Sequence, residues 1–277
     1  MKILVINLER DERRKSDMQR QLDDLELEAE FVTGFNGKQA STDRINEICD
    51  PDQLTSTFKR PFDQLKGLVG CTYSHYLCYQ KMVDEGLSVC CILEDDVILS
   101  KHLPEVLDYA EQNIKDKEVI SLHTLLYFDT NLTDSDRSNG QDFGILRASP
   151  PSIRGTQGYI ITKEVARTLK KAMFPIADLP DCWHKYHLNT GIQINVIFPF
   201  PLRHMWIDSV RDDERSGMLT QLINFIQKKK IYGFWNVIKW RRRKINDQKI
   251  MSHLKVHGKQ VKSLYLSDLK NTPFSRY

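Results

Sequence analysis

The chain has 277 residues, 40% of them hydrophobic and 28% charged, with a net charge of +3, a composition that excludes fibrous and intrinsically disordered proteins. No apolar run approaches the roughly 18 residues of a transmembrane helix, and the N-terminus is too quickly charged to be a signal peptide. The six cysteines lack zinc-finger spacing and the pattern of a secreted disulfide framework. We therefore expect a cytoplasmic protein with reduced thiols. Its length suits one large α/β domain, or a domain of about 220 residues with an appendage.

Hydrophobic periodicity predicts strands and helices that alternate along residues 1–205. In chain order the predicted elements are a strand over 2–8, a helix from the cap Asp11 to Leu25, a strand Ala29–Thr33, a short helix near Ile45, a helix Gly67–Glu85, a strand Ser88–Leu93, a helix Leu103–Asn113, a strand Glu118–Leu122, a strand Gly155–Thr162, a helix Lys163–Met173 capped by Thr162, and a strand Ile194–Phe198. The stretch around Pro51 and Pro61 reads as irregular, and residues 129–142 read as a loop. This order predicts a Rossmann-type α/β/α sandwich with a mainly parallel sheet.

Three consecutive carboxylates, Glu94, Asp95 and Asp96, follow the apolar strand that begins at Ser88. Such neighbours repel one another, and burying them unpaired costs several kcal/mol or raises their pKa values. Mg²⁺ or Mn²⁺ removes this penalty, because both ions prefer oxygen ligands and often bind carboxylates together with substrate phosphates. The alternative is an acidic turn in water.

Polar and basic residues also follow the first predicted strand: Asn7, Arg10, Arg13 and Arg14. Ligands of open α/β sheets bind outside the carboxyl ends of the strands, so we expect Asn7, Arg10 and Arg13 to contact a nucleotide or its phosphates. The alternative for the arginines is a solvated helix face. No Walker sequence and no Gly-x-Gly-x-x-Gly follows this strand, which weakens an ATPase or dehydrogenase interpretation.

Four segments resemble glycosyltransferase family 25, the lipooligosaccharide glycosyltransferases of Gram-negative bacteria. The segments are Asn7–Arg14, Gly67–His75, Ile92–Val97 and Gly155–Ile161. The ordered pairing of Gly-Cys-x-x-Ser-His with Glu-Asp-Asp-Val is more specific than either motif alone, and the resemblance covers roughly residues 1–210. It implies a GT-A-like fold and the transfer of a hexose, often galactose, from a UDP-sugar to a growing glycan with Mn²⁺ (or Mg²⁺) assistance.

The resemblance also implies roles for individual residues. In such enzymes an Asp-x-Asp-like element binds the metal and the donor, and here it reads Glu94-x-Asp96. Asp96 is the first candidate for metal contact, while Glu94 or Asp95 would contact the ribose or a metal-bound water. A C-terminal histidine often adds a ligand, and His204 is positioned to be one.

An inverting transfer needs a carboxylate base for the acceptor hydroxyl. Asp178 and Asp181 are the candidates, since Trp183 beside them would offer an apolar ring to a sugar. The alternative is an ordinary Asp-rich turn. Ser74 and His75 are expected to support the donor site, because adjacent helical residues diverge too far for an acyl-transfer dyad.

The C-terminal part of the chain is strongly basic. Residues 221–246 carry eight basic residues and no acidic one, and residues 1–220 carry a net −9. Ile231, Phe234, Trp235 and Ile238 have the spacing of an amphipathic helix. This pattern is typical of binding to an anionic membrane, and we expect a membrane rather than nucleic acid as the partner. The alternative is that the apolar stripe packs on the main domain.

These observations predict a catalytic domain over 1–215 and a membrane-association segment over 216–277. The expected enzyme is a metal-dependent UDP-hexose transferase acting on a lipid-linked oligosaccharide at the inner face of the bacterial cytoplasmic membrane. The alternatives are a non-catalytic nucleotide- or sugar-binding component of a glycan-assembly complex and a metal-dependent phosphohydrolase.

Overall fold

The computed structural model describes residues 1–126, 129–134, 142–149, 153–205 and 232–268, which contain fourteen β-strands and eight α-helices. The strands are β1 (Lys2–Asn7), β2 (Ala29–Thr33), β3 (Val89–Glu94), β4 (Val97–Leu99), β5 (Glu118–Ser121), β6 (Leu125–Leu126), β7 (Thr130–Asp134), β8 (Gly144–Ser149), β9 (Ile153–Arg154), β10 (Gly158–Thr162), β11 (Gln193–Phe198), β12 (Leu202–His204), β13 (Leu254–Val256) and β14 (Lys259–Gln260). The helices are α1 (Glu12–Asp24), α2 (Thr42–Asn46), α3 (Pro51–Phe58), α4 (Lys66–Asp84), α5 (Leu103–Asn113), α6 (Lys163–Met173), α7 (Trp183–Thr190) and α8 (Tyr232–His253).

Ten of these strands form one sheet, in the order β14-β13-β7-β8-β11-β5-β10-β3-β1-β2. Following the pairing along the sheet, seven strands point the same way, and β8, β10 and β14 run against them. The prediction of an α/β fold with a mainly parallel sheet is therefore confirmed. The sheet is nevertheless mixed, because β10 lies between β3 and β5 and is antiparallel to both.

Strand β3 leads to Glu94, Asp95 and Asp96, the acidic triplet, and is buried on both faces of the sheet. Cys90 and Ile92 pack into one core cluster, whereas Cys91 and Leu93 pack into another. A strand covered on both sides reads as a continuous apolar run and not as an alternating pattern. This is why β3 is recognisable in the sequence and why the carboxylates begin where its apolar residues end.

Three predictions concern the residues at which helices begin, and the structure tests each of them. The Thr162 hydroxyl caps α6 by accepting a hydrogen bond from the Val165 amide at 3.3 Å, as predicted. Asp11 stands before α1 but makes no side-chain cap bond, so its predicted role was wrong. The stretch at Pro51 is not irregular. It is the first turn of α3, capped by the Asp50 side chain, and Pro at this position is typical of a helix start.

The predicted loop over 129–142 is a strand at its beginning. Residues Thr130–Asp134 form β7, which pairs with both β8 and β13. Its sequence is mostly polar, but Leu132 is fully buried in the core. Pairing on two sides outweighs the weak strand propensity of the segment. Residues 135–141 lie outside the described part of the chain.

The C-terminal residues 254–266 belong to the body of the fold. Strand β13 pairs in parallel with β7, and Leu254 and Val256 are buried in the core. Part of the segment predicted over 216–277 therefore packs on the domain predicted over 1–215, and the boundary at 215/216 stays a prediction. No described helix combines the length and the hydropathy needed to cross a membrane. The helix predicted around Ile231 to Ile238 begins at Tyr232, but the side chains of Ile231, Phe234, Trp235 and Ile238 lie outside those described.

Candidate functional site

The ends of two adjacent parallel strands form the base of the site. Strands β1 and β3 pair with Ile6 opposite Glu94, so Asn7 and Asp95 leave the sheet side by side. The Asn7 side-chain amide donates to Asp95 Oδ2 at 2.7 Å and to the Asp11 carbonyl at 3.2 Å. The structure thus brings the predicted residues Asn7 and Asp95 together at the carboxyl edge of the sheet.

Of the three arginines that follow β1, it is Arg14 that contacts the triplet. Its Nη1 lies 3.2 Å from Asp95 Oδ1 and 3.7 Å from Asp96 Oδ2. The predicted Arg13 is 87% exposed and lies 3.8 Å from Asp17, while Arg10 lies 3.9 Å from Asp11. Among the described contacts, neither of these two arginines reaches the carboxylates.

Helical phase explains why Arg14, and neither Arg10 nor Arg13, contacts the carboxylates, and the sequence alone indicates that phase. Met18 and Leu22 are the two fully buried residues of α1. Arg14 precedes them by four and eight residues, so all three share the helix face that is turned toward the sheet. A basic residue on the buried face of α1, one turn from the strand end, is therefore directed into the site.

The two aspartates differ in electrostatic environment although they are adjacent. Burial raises the pKa of Asp95 to about 6, and the neighbouring Asp96 adds to this effect, while Arg14 and Asn7 oppose it. Burial also acts to raise the pKa of Asp96, but His204 and Arg14 outweigh it and hold that pKa below the ordinary value. Asp96 is therefore the carboxylate that the protein stabilises in the charged form.

His204 reaches Asp96 through a second, two-stranded sheet. Strand β12 pairs with β4 so that His204 lies opposite Val97, and the Met205 amide donates to the Asp96 carbonyl at 2.8 Å. His204 Nε2 lies 3.5 Å from Asp96 Oδ2. Burial lowers the pKa of His204, but Asp96 and, to a smaller extent, Glu94 raise it above the ordinary value.

Asp96 has one oxygen that could accept a cation. Its Oδ1 is buried and has no hydrogen-bond partner among the described residues. A buried carboxylate oxygen without a partner is destabilising unless an ion, a water or a ligand completes it. Asp96 and His204 offer a carboxylate oxygen and an imidazole nitrogen, a donor set that suits Mn²⁺ and, through the oxygen, Mg²⁺.

Glu94 makes contacts on another side of the strand end. Its Oε1 accepts a hydrogen bond from the Thr156 hydroxyl at 2.6 Å and lies 3.4 Å from His75 Nε2. Its backbone amide donates to the Gln157 carbonyl at 3.0 Å. Glu94 and Asp96 both raise the pKa of His204. The predicted role of Glu94 beside Asp96, at the metal or the donor ribose, stays a prediction.

The two candidate bases lie near the turn before α7. Asp181 Oδ2 accepts from the Gly155 amide at 3.1 Å, and its Oδ1 is buried without a partner in the described residues. Asp178 forms an ion pair with Lys185 and remains partly exposed. Asp181 thus holds the backbone of Gly155. The residue after Gly155, Thr156, donates a hydrogen bond to Glu94.

Trp183 cannot provide the sugar platform that was expected of it. It is fully buried, and its indole N–H donates to the Gly155 carbonyl at 3.0 Å. Its ring also packs edge-on against Tyr159 at 5.3 Å. Trp183 is a core residue that anchors the entry to β10. Ser74 is similarly engaged with backbone, since it donates to the Gly70 carbonyl and accepts from the Phe35 amide.

His123 is a buried group near the site that sequence reasoning did not select. Burial lowers the pKa of its imidazole to about 3, an effect that the neighbouring His204 reinforces. The Gln157 side chain opposes this shift, yet neither ring nitrogen makes a hydrogen bond of standard geometry with a described residue. A single histidine after a predicted strand carries no distinguishing signal, so only the tertiary structure shows that it is buried.

Comparison with known proteins agrees with the arrangement of motifs. The family model described as glycosyltransferase family 25 (LPS biosynthesis protein) matches residues 1–181. A glycosyltransferase 25 family member of Aedes aegypti is 33% identical over 117 residues, which cover 40% of this chain and 19% of that protein. Procollagen galactosyltransferase 2 of Homo sapiens is 28% identical over 125 residues, 43% of this chain and 20% of that protein. The chain thus matches about a fifth of the length of these relatives.

Among solved structures, the crystal structure of A197 from STIV is similar with a TM-score of 0.36 and 10% identity. The alignment covers 75% of this chain and 87% of that one. Similarity at this level carries no functional implication.

Proposed function

The chain belongs to glycosyltransferase family 25, and on that premise we propose that it transfers a hexose from a UDP-sugar with the help of Mn²⁺ or Mg²⁺. Galactose is the proposed sugar, because a relative of this chain is a procollagen galactosyltransferase. The observation that carries the metal-assisted part is the buried Asp96 Oδ1, which has no partner in the described residues and lies in the carboxylate that faces His204.

Asp96 and His204 would hold the cation, which when bound neutralises the charge that develops on the UDP leaving group. The chain's own residues prepare the site for this. Arg14 pairs with Asp95 and Asp96 and so offsets their mutual repulsion. Asn7 fixes the Asp95 carboxylate, which we assign to the donor ribose. Because these groups are held before the donor binds, little reorganisation is needed when it does.

For the acceptor hydroxyl we assign the base role to Asp178 in preference to Asp181. Asp178 is partly exposed, whereas the Asp181 carboxylate holds the Gly155 amide and its second oxygen is buried. A base has to come within hydrogen-bond distance of the proton that it removes, which favours the more accessible carboxylate.

The proposed acceptor is a lipid-linked lipooligosaccharide at the inner face of the bacterial cytoplasmic membrane. The family description refers to LPS biosynthesis. Helix α8 also exposes Val237, Trp240 and Ile245 at 60%, 61% and 53%, next to the exposed basic residues Arg241 and Lys244. Exposed apolar and basic side chains on one helix suit a peripheral contact with anionic lipid.

A second candidate is a non-catalytic sugar-nucleotide-binding protein. It is favoured by one observation, namely that Arg14 already supplies a positive charge to Asp95 and Asp96. In that case UDP would bind without a cation and no sugar would be transferred.

The decisive experiment is a screen of UDP-sugars with Mn²⁺ on wild type, Asp96→Ala and the exposed control Asp84→Ala. We expect one UDP-hexose to be turned over by wild type and the control, and turnover to fall on the order of 10²-fold or more in Asp96→Ala. Failure of wild type to bind or turn over any donor would overturn the proposal. UDP binding without a cation and without transfer would select the second candidate, and release of free phosphate would indicate a phosphohydrolase.

A further inference from the structure

A second group of metal-binding side chains lies on the other side of the strand end that carries the triplet. Cys71 and His75 are four residues apart in α4, and Glu94 ends β3. Residues at this spacing share one helix face. The sulfur, a ring nitrogen and a carboxylate oxygen of the three residues all lie within 4.8 Å of one another.

Buried hydroxyl groups fix the orientation of His75. Its Nδ1 is 2.8 Å from the Tyr159 hydroxyl, which is 2.8 Å from the Tyr79 hydroxyl. The imidazole is 1% exposed. If Nδ1 carries the proton and donates a hydrogen bond to the Tyr159 hydroxyl, the lone pair of Nε2 is directed toward Glu94 Oε1, 3.4 Å away. Histidines that bind metals are held in this way by a partner on the other ring nitrogen.

The distances approach those of a tetrahedral zinc site. Zinc bonds of about 2.0–2.3 Å place neighbouring ligand atoms about 3.3–3.8 Å apart. The 3.4 Å separation of His75 Nε2 and Glu94 Oε1 already lies in this range. Cys71 and Glu94 are both partly exposed. Their side chains therefore have room to close the remaining gap, about 1 Å at the widest separation, around the buried His75.

We propose that Cys71, His75 and Glu94 bind Zn²⁺ at a site separate from the Asp96–His204 pair. A thiolate, an imidazole and a carboxylate together select zinc, whereas Mn²⁺ and Mg²⁺ prefer oxygen ligands. Binding releases the Cys71 thiol proton to solvent, because the thiolate is the form that binds the metal. Three protein ligands leave the fourth position open to water or a solute.

Zinc bound to these three residues would also affect the neighbouring site proposed for the sugar donor. Glu94 directly precedes Asp95, and its Oε1 is held by Thr156. Zinc on Glu94 ties the end of β3 to α4, so it should stabilise the folded protein. The zinc site does not depend on the proposed transferase activity, since none of its ligands is Asp96 or His204.

The test uses metal-free full-length protein and ZnCl₂ in competition with a chromophoric chelator. We expect Cys71→Ser to weaken the tightest zinc-binding step at least 100-fold, whereas Cys182→Ser, which alters a partly exposed cysteine outside the cluster, and Asp96→Ala leave it unchanged. Loss in Asp96→Ala instead would assign the zinc to the donor site. Equal zinc affinity in wild type and Cys71→Ser would overturn the proposal.

A spectroscopic measurement tests the same ligands independently of affinity. Co²⁺ in place of zinc should give wild type a thiolate-to-cobalt charge-transfer band in the near ultraviolet. Cys182→Ser should keep this band, and Cys71→Ser should lose it. Absence of the band from wild type would rule out a cysteine ligand. Since neither readout requires a sugar donor, the zinc proposal and the transferase proposal can fail separately.

Discussion

The side-chain amide of Asn7 donates a 2.7 Å hydrogen bond to Asp95 Oδ2 and joins the ends of two adjacent parallel strands. Burial alone would raise the pKa of Asp95 further than the value of about 6 that it has, because this bond and the Arg14 contact favour the charged form. One neutral amide thus helps to keep a buried carboxylate ionised near neutral pH.

Asn7→Ala should therefore lower the free energy of unfolding by about 1–3 kcal/mol at pH 8, where Asp95 is charged. The loss should be smaller at pH 5, because a carboxyl with a pKa of about 6 then binds a proton and needs the amide less. Urea unfolding at the two pH values measures this difference. Asn189→Ala, at an exposed position of α7, is the control and should be nearly neutral. An equal loss at both pH values would contradict the assignment.

His123 should make the fold sensitive to acid. The folded state holds the pKa of its imidazole at about 3, below the unfolded value of about 6.5. The stability that the neutral imidazole contributes is therefore fully present above pH 6.5 and is lost as the pH falls toward 3. At pH 5 the free energy of unfolding has fallen by about 2 kcal/mol on this account.

His123→Phe replaces the ring with one that cannot bind a proton. Between pH 7 and pH 5 its free energy of unfolding should fall by about 2 kcal/mol less than that of wild type. The exposed His184→Phe is the matched control and should follow the wild-type curve. Parallel curves for wild type and His123→Phe would show that His123 is not the acid-sensitive group.

The two candidate bases should respond differently to neutralisation. Asp178→Asn should lower kcat by on the order of 10²–10⁴-fold if Asp178 removes the acceptor proton. Asp181→Asn should change kcat by less than about 10-fold, because the amide oxygen can still accept from the Gly155 amide. UDP binding should be unchanged in both, which separates catalysis from donor affinity. The opposite order of effects would assign the base to Asp181.

Membrane attachment is best tested by point changes, since a deletion that includes residues 254–266 would also remove buried core residues. Arg241→Ser with Lys244→Ser removes two exposed charges from α8. Binding to anionic vesicles should weaken by about 2 kcal/mol, roughly 30-fold. Lys255→Ser with Lys259→Ser removes the same charge at exposed positions of β13 and β14 and should have a smaller effect. Equal weakening by the two pairs would indicate a general charge effect and not a surface on α8.

Much of the site could be predicted because it depends on local patterns. The buried strand β3 reads as an unbroken apolar run, and the place where that run ends determines where the carboxylates stand. The contact of Arg14 with the triplet also follows a local pattern, because its spacing from Met18 and Leu22 places it on the buried face of α1. The need for glycine at position 70, in contrast, comes from a tertiary contact. A Cβ there would lie 2.6 Å from the Phe35 carbonyl oxygen, so the loop after β2 can cross α4 only at a glycine.

Other features depend on partners that are distant in the chain. Thr130–Asp134 forms a strand because β8 and β13 pair with it, and Trp183 is a core residue because Gly155 and Tyr159 surround it. Glu94 lies next to His75 because α4 packs near the end of β3. None of these contacts leaves a periodic signal in the sequence.

By itself the sequence determined the α/β class, the buried strand with its terminal carboxylates, and the family, because each depends on the order and spacing of neighbouring residues. Only the tertiary structure decided how the triplet is divided, with Asp95 on Asn7 and Arg14, Asp96 on His204, and Glu94 on His75 and Thr156. The physical reason is that adjacent side chains at a strand end point in different directions. Which partners they meet is set by strands and helices brought there from elsewhere in the chain.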